Sequence, residues 1–214
     1  MTRTLTPELL DSLPSTHPDA RRSRRDLRLI NRFMGNHRWF ARRLPRLLRP
    51  GERALELGTG TGELAARLAA RGIAVDGLDL CPRPGNWPAS REWHLGDLRT
   101  FTGMAPYAAV YGNLIFHHFS EAELAALGAT MRRSARLILA SEPTRSARSQ
   151  RLFATFGRAF GACHVTLHDA PASIAAGFVG QELPQLLGLG GAEWEISCST
   201  SFLGACRMIA RRRP

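Results

Sequence analysis

The sequence predicts an α/β protein whose seven-stranded, mostly parallel sheet has helices on both faces. An antiparallel hairpin at the C-terminal end and a helical lid before the sheet complete the predicted fold. Three observations support it. Short apolar segments alternate with helical ones from Arg53 onward, as in successive βαβ units. A glycine-rich turn follows the first of these strands, and residues 194–212 contain two strand-like segments with a tight connection between them.

Length and composition favour one large domain with a small N-terminal addition. The chain has 214 residues, of which 44% are hydrophobic, and this is enough to bury a core. We expect residues 1–50 to form an arm and a helical lid, and residues 51–214 to form the main domain, with an acceptor-pocket insert near 146–190. No secretory leader and no apolar run of about 20 residues is present, so a soluble, cytoplasmic protein without a transmembrane segment is expected.

The charge of the chain is strongly basic and unevenly distributed. All 29 basic residues are arginine, the formal net charge is +11, and residues 1–50 hold 12 of the arginines against four acidic residues. A GC-rich genome inflates arginine, so the charge alone is a poor argument for a nucleic-acid partner. Contact of the basic helices with an anionic membrane surface is a second hypothesis. The sequence predicts no oligomeric state.

The N-terminal segment predicts an arm followed by two helices. Prolines interrupt residues 1–20, which we expect to be a loose arm. Apolar residues recur at helical spacing from Arg21 to Met34. Gly35 predicts a break, and a second helix is expected from His37 to about Leu44, where Pro45 disturbs it.

The remaining elements follow from apolar patterning and from turn residues. Strands are expected at 53–58, 74–80, 92–97, 108–116 and 135–143, and helices at 62–72, 120–134, 146–161 and 180–189. Ser120 with Glu123 forms a capping-box pattern at the start of one helix. We expect residues 163–178 to be less regular.

The glycine loop "LELGTGTG" is not a dinucleotide fingerprint. Its glycines are Gly58, Gly60 and Gly62, which give G-x-G-x-G rather than G-x-G-x-x-G, and no G-K-[ST] follows. Glu56 stands two residues before the first glycine. A carboxylate there repels a pyrophosphate and attracts an ammonium or a sulfonium group.

This loop resembles motif I of class I S-adenosylmethionine-dependent methyltransferases of the small-molecule, type 11/12-like kind. "GLDL", "LGDL" and "AVYGNLIFHHF" are similar to the motifs that follow in that family, so the resemblance spans about residues 50–145. It implies a Rossmann-like fold and S-adenosylmethionine as cofactor. Asp79 would bind the ribose hydroxyls, Asp97 the adenine amino group, and Asn113 the methionine side. The residues implied to bind the cofactor are Glu56, Gly58, Thr59, Gly60, Gly62, Asp79, Leu80, Gly96, Asp97, Leu98, Asn113 and Leu114. The sequence departs from many relatives at Ala108, where an Asp is common.

The acceptor site is less marked in the sequence. His117 and His168 are the catalytic candidates, because an imidazole can take a proton from a hydroxyl at neutral pH. A packing role for His118 and a loop role for His168 are the structural alternatives. Asn36, His37, Arg38 and Trp39 are candidate lid and substrate residues, and Arg38 is a candidate for the methionine carboxylate. The four cysteines lack metal-ligand spacing, and the sequence predicts no metal site.

These observations predict a methyltransferase that acts on a small molecule. O-methylation of a phenolic, polyketide-like or quinone-like acceptor in secondary metabolism is the leading hypothesis, and C-methylation is the second. The absence of N-P-P-Y argues against methylation of exocyclic amines in DNA. Two alternatives stay open: an RNA methyltransferase that uses the arginine-rich helices, and a partner protein of this fold that does not catalyse.

Overall fold

A seven-stranded sheet organises the computed structural model, which describes residues 1–14 and 16–214. The strand order is β3-β2-β1-β4-β5-β7-β6. β7 runs antiparallel to its neighbours β5 and β6, and the other neighbouring pairs are parallel. The strands are β1 (Arg53–Leu57), β2 (Ala74–Asp79), β3 (Trp93–Leu95), β4 (Ala109–Asn113), β5 (Leu137–Pro143), β6 (Trp194–Thr200) and β7 (Ala205–Arg212). The predicted fold class is confirmed.

The order of the strands explains where a ligand can bind. The chain starts in the middle of the sheet at β1, moves outward through β2 and β3, and then returns to place β4 on the other side of β1. At such a reversal the connections after β1 and β4 leave in opposite directions and open a crevice at the carboxyl ends of the strands. The glycine loop lies at that crevice.

Helices cover the sheet and its carboxyl edge. They are α1 (Leu9–Ser12), α2 (Pro18–Met34), α3 (Asn36–Leu47), α4 (Glu63–Ala69), α5 (Glu121–Ser134), α6 (Ala147–Ala159), α7 (His164–Ala176) and α8 (Glu182–Leu186). A 3₁₀ turn, Phe116–His118, follows β4. The predicted capping box at the start of α5 is confirmed: Ser120 and Glu123 each accept from the other's backbone N–H.

Alternate residues of the strands belong to two separate cores. Val110 and Ile138 pack on one face of the sheet with residues of α5 and α8, whereas Tyr111 and Leu139 pack on the other face with residues of α3 and α4. Successive side chains of a strand point to opposite faces, so a sheet with two buried faces needs apolar residues at consecutive positions. β4 and β5 show this pattern.

Three local predictions are wrong. Residues 1–20 are not a loose arm, because they contain α1 and the first turn of α2, and Thr4 and Leu9 bond to residues of α7. Residues 164–176 form one helix that includes Pro171, and α3 continues past Pro45 to Leu47. Pro18 stands at the first position of α2, where proline is tolerated, and packing against the rest of the chain outweighs the local cost of Pro45 and Pro171.

Among the described residues, no helix combines the length and the apolar character that a membrane-crossing segment requires. The division of the chain near residue 50 stays a prediction.

Candidate active site

A large cavity lies at the carboxyl edge of the sheet. Its volume is about 1040 Å³, and its wall includes residues that follow β1, β2, β4 and β5. Residues of α2, α6 and α7 form the opposite side. Many single ligand sites measure roughly 300–1,000 Å³, so this cavity has room for a cofactor and a second molecule.

The glycine loop after β1 has the backbone that its sequence requires. Gly58, Gly60 and Gly62 all have positive φ, at 63°, 58° and 76°. L-residues rarely adopt this conformation. A Cβ on Gly58 would also lie 2.7 Å from the side chain of Ile115. The loop therefore passes close to the segment after β4, and a larger residue would separate the two.

Asp79 joins the end of β2 to the glycine loop. Gly60 donates its backbone N–H to Oδ2 of Asp79 at 2.7 Å, and Cys81 donates to Oδ1 at 2.8 Å. Thr59 adds a second link, because its hydroxyl accepts from the N–H of Leu78. Each carboxylate oxygen can accept more than one hydrogen bond, so Asp79 retains capacity for ligand hydroxyls.

Glu56 is a buried carboxyl group beside the loop. Burial raises its pKa to about 8, and the nearby charge of Asp79 adds to this, although Tyr111 donates a hydrogen bond to Glu56 at 3.2 Å. The carboxyl group is therefore largely protonated at neutral pH. A cation in the cavity would favour its ionised form.

Asp97 lies in the loop after β3, on the cavity wall with Leu80 and Leu98. The backbone N–H of Arg99 donates to Oδ1 of Asp97 at 2.9 Å, and its guanidinium donates to Oδ2 at 3.0 Å. These bonds fix the carboxylate in place. Two apolar side chains beside one oriented acceptor suit a flat, hydrogen-bonding ring.

Side-chain amides connect the last residue of β4 to the lid helices. Asn113 donates to Oδ1 of Asn31 at 3.0 Å, and Asn36 donates to the same oxygen at 3.1 Å. Ser141 in turn donates to Oδ1 of Asn36 at 3.1 Å. Oδ1 of Asn113 is buried and has no hydrogen-bond partner in the described chain. A buried acceptor of this kind usually has a partner in the functional state.

Leu114, the next residue, has φ of +57° and is the one described non-glycine residue with positive φ. Its N–H donates to Ser141 at 2.9 Å. Strained residues of this type concentrate at functional sites. The strain turns the chain away from β4 and places Leu114 on the cavity wall.

His117 lies between two carboxylates. Its Nδ1 donates to Glu142 at 2.6 Å, and its Nε2 lies 3.5 Å from Oε1 of Glu8. Burial by itself would lower the pKa of His117, but the hydrogen bonds to Glu142 and Glu8 raise it to about 9. Glu142, at the end of β5, also accepts the backbone N–H groups of Ile115 and Phe116, each at 3.0 Å.

The N-terminal arm supplies Glu8 and closes one side of the cavity. Asp169 accepts the N–H groups of Leu9 and Leu10 at 2.8 and 3.0 Å, so the start of α1 is attached to α7. Arg3 donates to the carbonyl of Phe119 at 2.7 Å and to that of Ala176 at 2.9 Å. The arm thus bridges the turn after β4 and the end of α7.

Aromatic residues form the far end of the cavity. Phe33 of α2 lies 5.5 Å from Phe156 and 6.0 Å from Phe160, measured between ring centroids. Phe160 is 59% exposed, and all three rings line the cavity. This end is therefore apolar, partly open to solvent, and suited to a flat hydrophobic molecule.

Comparison with solved structures identifies this architecture. The plantazolicin methyltransferase BpumL, solved in complex with SAH, matches with a TM-score of 0.74 at 12% identity, covering 96% of this chain and 93% of that one. Magnesium protoporphyrin IX methyltransferase ChlM from Synechocystis PCC 6803, with bound SAH, gives 0.57 at 14% identity, covering 95% and 91%. The fold is that of class I methyltransferases.

A third matching structure concerns the conversion of a disulfide bond into a thioacetal group during echinomycin biosynthesis. It gives a TM-score of 0.59 at 20% identity and covers 83% of this chain and 80% of that one. No protein-family model and no curated protein sequence matches this chain.

Most residues implied by the resemblance lie on the cavity wall of this methyltransferase fold. The predicted cofactor residues found there are Glu56, Gly58, Thr59, Gly60, Asp79, Leu80, Asp97, Leu98, Asn113 and Leu114. Gly62 and Gly96 do not line it, and Gly62, with φ of 76°, shapes the backbone of the loop instead. The contacts of all the predicted residues with a cofactor stay predictions.

The predicted lid residues divide into two groups. His37 lines the cavity, and burial together with the charge of Arg67 lowers its pKa to about 4, so it is neutral at pH 7. Asn36 lies one layer behind, in the amide network. Arg38 is exposed and Trp39 packs edge-on against Phe40, and neither lines the cavity.

Of the two catalytic candidates, only His117 lines the cavity. His168 does pair with its neighbour, since its Nδ1 lies 2.9 Å from Oδ1 of Asp169, but its side chain is 51% exposed and outside the cavity wall. Its catalytic role stays a prediction.

Sequence reasoning missed Glu8, Arg28 and Arg32 in the wall, and it missed Glu142, which is buried behind the wall as the partner of His117. Glu142 carried a usable signal. It ends a predicted parallel strand, and the carboxyl ends of such strands meet at one edge of the sheet. Glu8 carried no such signal, because its position depends on how the N-terminal arm packs against the rest of the chain.

Proposed function

We propose that this chain is an S-adenosylmethionine-dependent methyltransferase that O-methylates a small phenolic, polyketide-like or quinone-like molecule. The observation that carries the proposal is one cavity with two chemically different ends. One end has the glycine loop and three carboxyl groups, and the other has aromatic rings. The fold shared with SAH-bound structures supports this reading, since SAH is what S-adenosylmethionine becomes after methyl transfer.

The glycine-loop end accounts for each part of the cofactor. Asp79 would accept the two ribose hydroxyls, and Asp97 the adenine amino group. Glu56 would ionise when the ammonium and sulfonium groups of S-adenosylmethionine bind beside it. Arg28 lines the cavity and pairs with Glu63 at 3.5 Å, and it is our candidate for the methionine carboxylate in place of Arg38.

The aromatic end accounts for the acceptor. Phe33, Phe156 and Phe160 would hold a flat apolar molecule by burying its faces. Holding the acceptor oxygen in line with the activated methyl group supplies much of the rate, because the reaction becomes effectively unimolecular.

The hydroxyl of the acceptor would bind at the polar wall formed by Glu8, His117 and His118. All three side chains line the cavity beside the turn after β4. Both ring nitrogens of His117 already have partners, so an acceptor hydroxyl must displace Glu8 to reach Nε2. Entry of the acceptor and movement of the arm are then coupled.

Two measurements on the purified chain test this function. Calorimetric titration should show binding of S-adenosylmethionine and no binding of NAD. Incubation with methyl-labelled S-adenosylmethionine and a panel of phenols and hydroxyquinones should then give a product 14 mass units heavier, with the methyl group on oxygen. NAD binding alone would contradict the proposal. Label transfer to RNA, and not to the panel, would favour the RNA alternative, and cofactor binding without any transfer would favour the non-catalytic one.

A further inference from the structure

The wall around Glu8 holds a donor set that the sequence analysis did not predict. Glu8, His117 and His118 each offer one ligand atom, and these atoms all lie within 4.8 Å of one another. Nε2 of His117 and Oε1 of Glu8 are 3.5 Å apart. Two ligands at about 2.0–2.1 Å from a tetrahedral metal ion lie roughly 3.3–3.5 Å from each other, so this pair already has the required spacing.

Both imidazoles also have the outer partners that metal-binding histidines use. Such a histidine usually donates its second ring N–H to a carboxylate, which fixes the ring and increases its basicity. Nδ1 of His117 donates to Glu142, which is fully buried and held by backbone N–H groups. Nδ1 of His118 lies 3.3 Å from Oδ2 of Asp11. The arm thus supplies one ligand and one outer carboxylate.

We propose that Glu8, His117 and His118 bind one divalent transition-metal ion of the zinc type, with an open coordination position toward the cavity. Two imidazoles, one carboxylate and an exchangeable fourth ligand form the donor set of catalytic zinc sites. The ion would occupy the position between Nε2 of His117 and Oε1 of Glu8, which lie 3.5 Å apart.

The role of the ion, though not its binding, rests on the proposed function. An acceptor hydroxyl at the open position would lose its proton to solvent more readily, because the cation stabilises the oxyanion. The oxygen lone pair then forms the C–O bond while the C–S bond breaks, and its electron pair stays on the sulfur of SAH. With the ion bound, the hydroxyl would take the open position instead of reaching Nε2 of His117, so Glu8 would stay in place as a ligand.

The test uses the full chain after treatment with a chelator. Titration with Co²⁺ should show one equivalent bound and the intense visible bands of four-coordinate cobalt, without thiolate charge-transfer bands, and Zn²⁺ should displace it. His118→Ala and Glu8→Gln should each weaken binding by about 100-fold or more. Asp11→Asn, which changes only an outer partner, should weaken it by about 10-fold.

His164→Ala is the matched control, because His164 is an exposed histidine of α7 outside the cluster. It should leave cobalt binding unchanged, and circular dichroism should show that every variant is folded. Absence of cobalt binding to the folded parent chain, or equal binding by the His118 and Glu8 variants, would overturn the proposal. Titration with S-adenosylmethionine separates the two proposals: cofactor binding without cobalt binding leaves only the methyltransferase function, and the reverse leaves only the metal site.

Discussion

The two ends of the cavity are built in different ways. The glycine-loop end comes mainly from β1, β2, β3 and β4 and the turns that follow them, within residues 53–114, and Arg28 of α2 is the one proposed contributor from outside that range. The acceptor end comes from the arm, α2, α6 and α7, which are more than 100 residues apart at their extremes. Local sequence motifs can determine the structure of a short continuous stretch. An end assembled from distant segments depends on a few contacts between them, so the two ends should respond differently to substitution.

The largest expected effect is at the glycine-loop end. Asp79→Ala removes the carboxylate that holds Gly60 and would receive the ribose hydroxyls, so the Kd for S-adenosylmethionine should rise about 100- to 1,000-fold, which corresponds to the loss of two hydrogen bonds to a charged group. Calorimetric titration with S-adenosylmethionine measures this Kd. Asp19→Ala, at an N-terminal position on α2 outside the cavity, is the control. An unchanged Kd would show that the cofactor does not use this end.

The second effect concerns how the arm is attached. Asp169→Ala removes the acceptor for the N–H groups of Leu9 and Leu10, so hydrogen exchange at these two amides should become about 10- to 100-fold faster. The amide of Val110 in β4 should keep its rate, and the Kd for S-adenosylmethionine should change by less than about threefold. A large loss of cofactor binding in this variant would mean that the two ends are not separate.

The third effect is a pH dependence that belongs to the glycine-loop end. Because burial raises the pKa of Glu56 to about 8, and a bound cation favours its ionised form, the affinity for S-adenosylmethionine should rise from pH 6 to pH 8 and then level off. At pH 7 binding should release close to one proton, which titrations in buffers of different ionisation enthalpy measure. In Glu56→Gln the affinity should be lower and the proton release absent. Proton uptake in the parent chain would refute this assignment.

The smallest effect is expected at the open mouth of the acceptor end. Phe156→Ala removes one ring of the aromatic group and should raise the KM for a phenolic acceptor about 3- to 10-fold, the amount expected from one aromatic contact. The Kd for S-adenosylmethionine should stay the same. Steady-state kinetics with the acceptor found in the panel measures this change. Phe202→Ala, an exposed ring outside the cavity, should have no effect.

The same contrast explains what the sequence could predict. The glycine-loop end was predictable, because Gly58, Asp79 and Asp97 lie at or just after the ends of strands whose apolar pattern is clear. The acceptor end was not, because Pro171 concealed α7 and nothing near Glu8 indicates that it meets His117, 109 positions away. Pairs of this kind depend on tertiary packing, which overrides local preference. His117 itself was predicted, but its two carboxylate partners were not.

Leu114 sets a limit on engineering this protein. A left-handed conformation costs a leucine about 1 kcal/mol or more, so Leu114→Gly should make the isolated fold more heat-resistant if only the backbone mattered. The same change would remove an apolar side chain from the cavity wall. A search for thermostable variants would therefore favour replacements of Leu114 that change the shape of the binding surface. Libraries that seek both stability and ligand binding should keep Leu114 fixed.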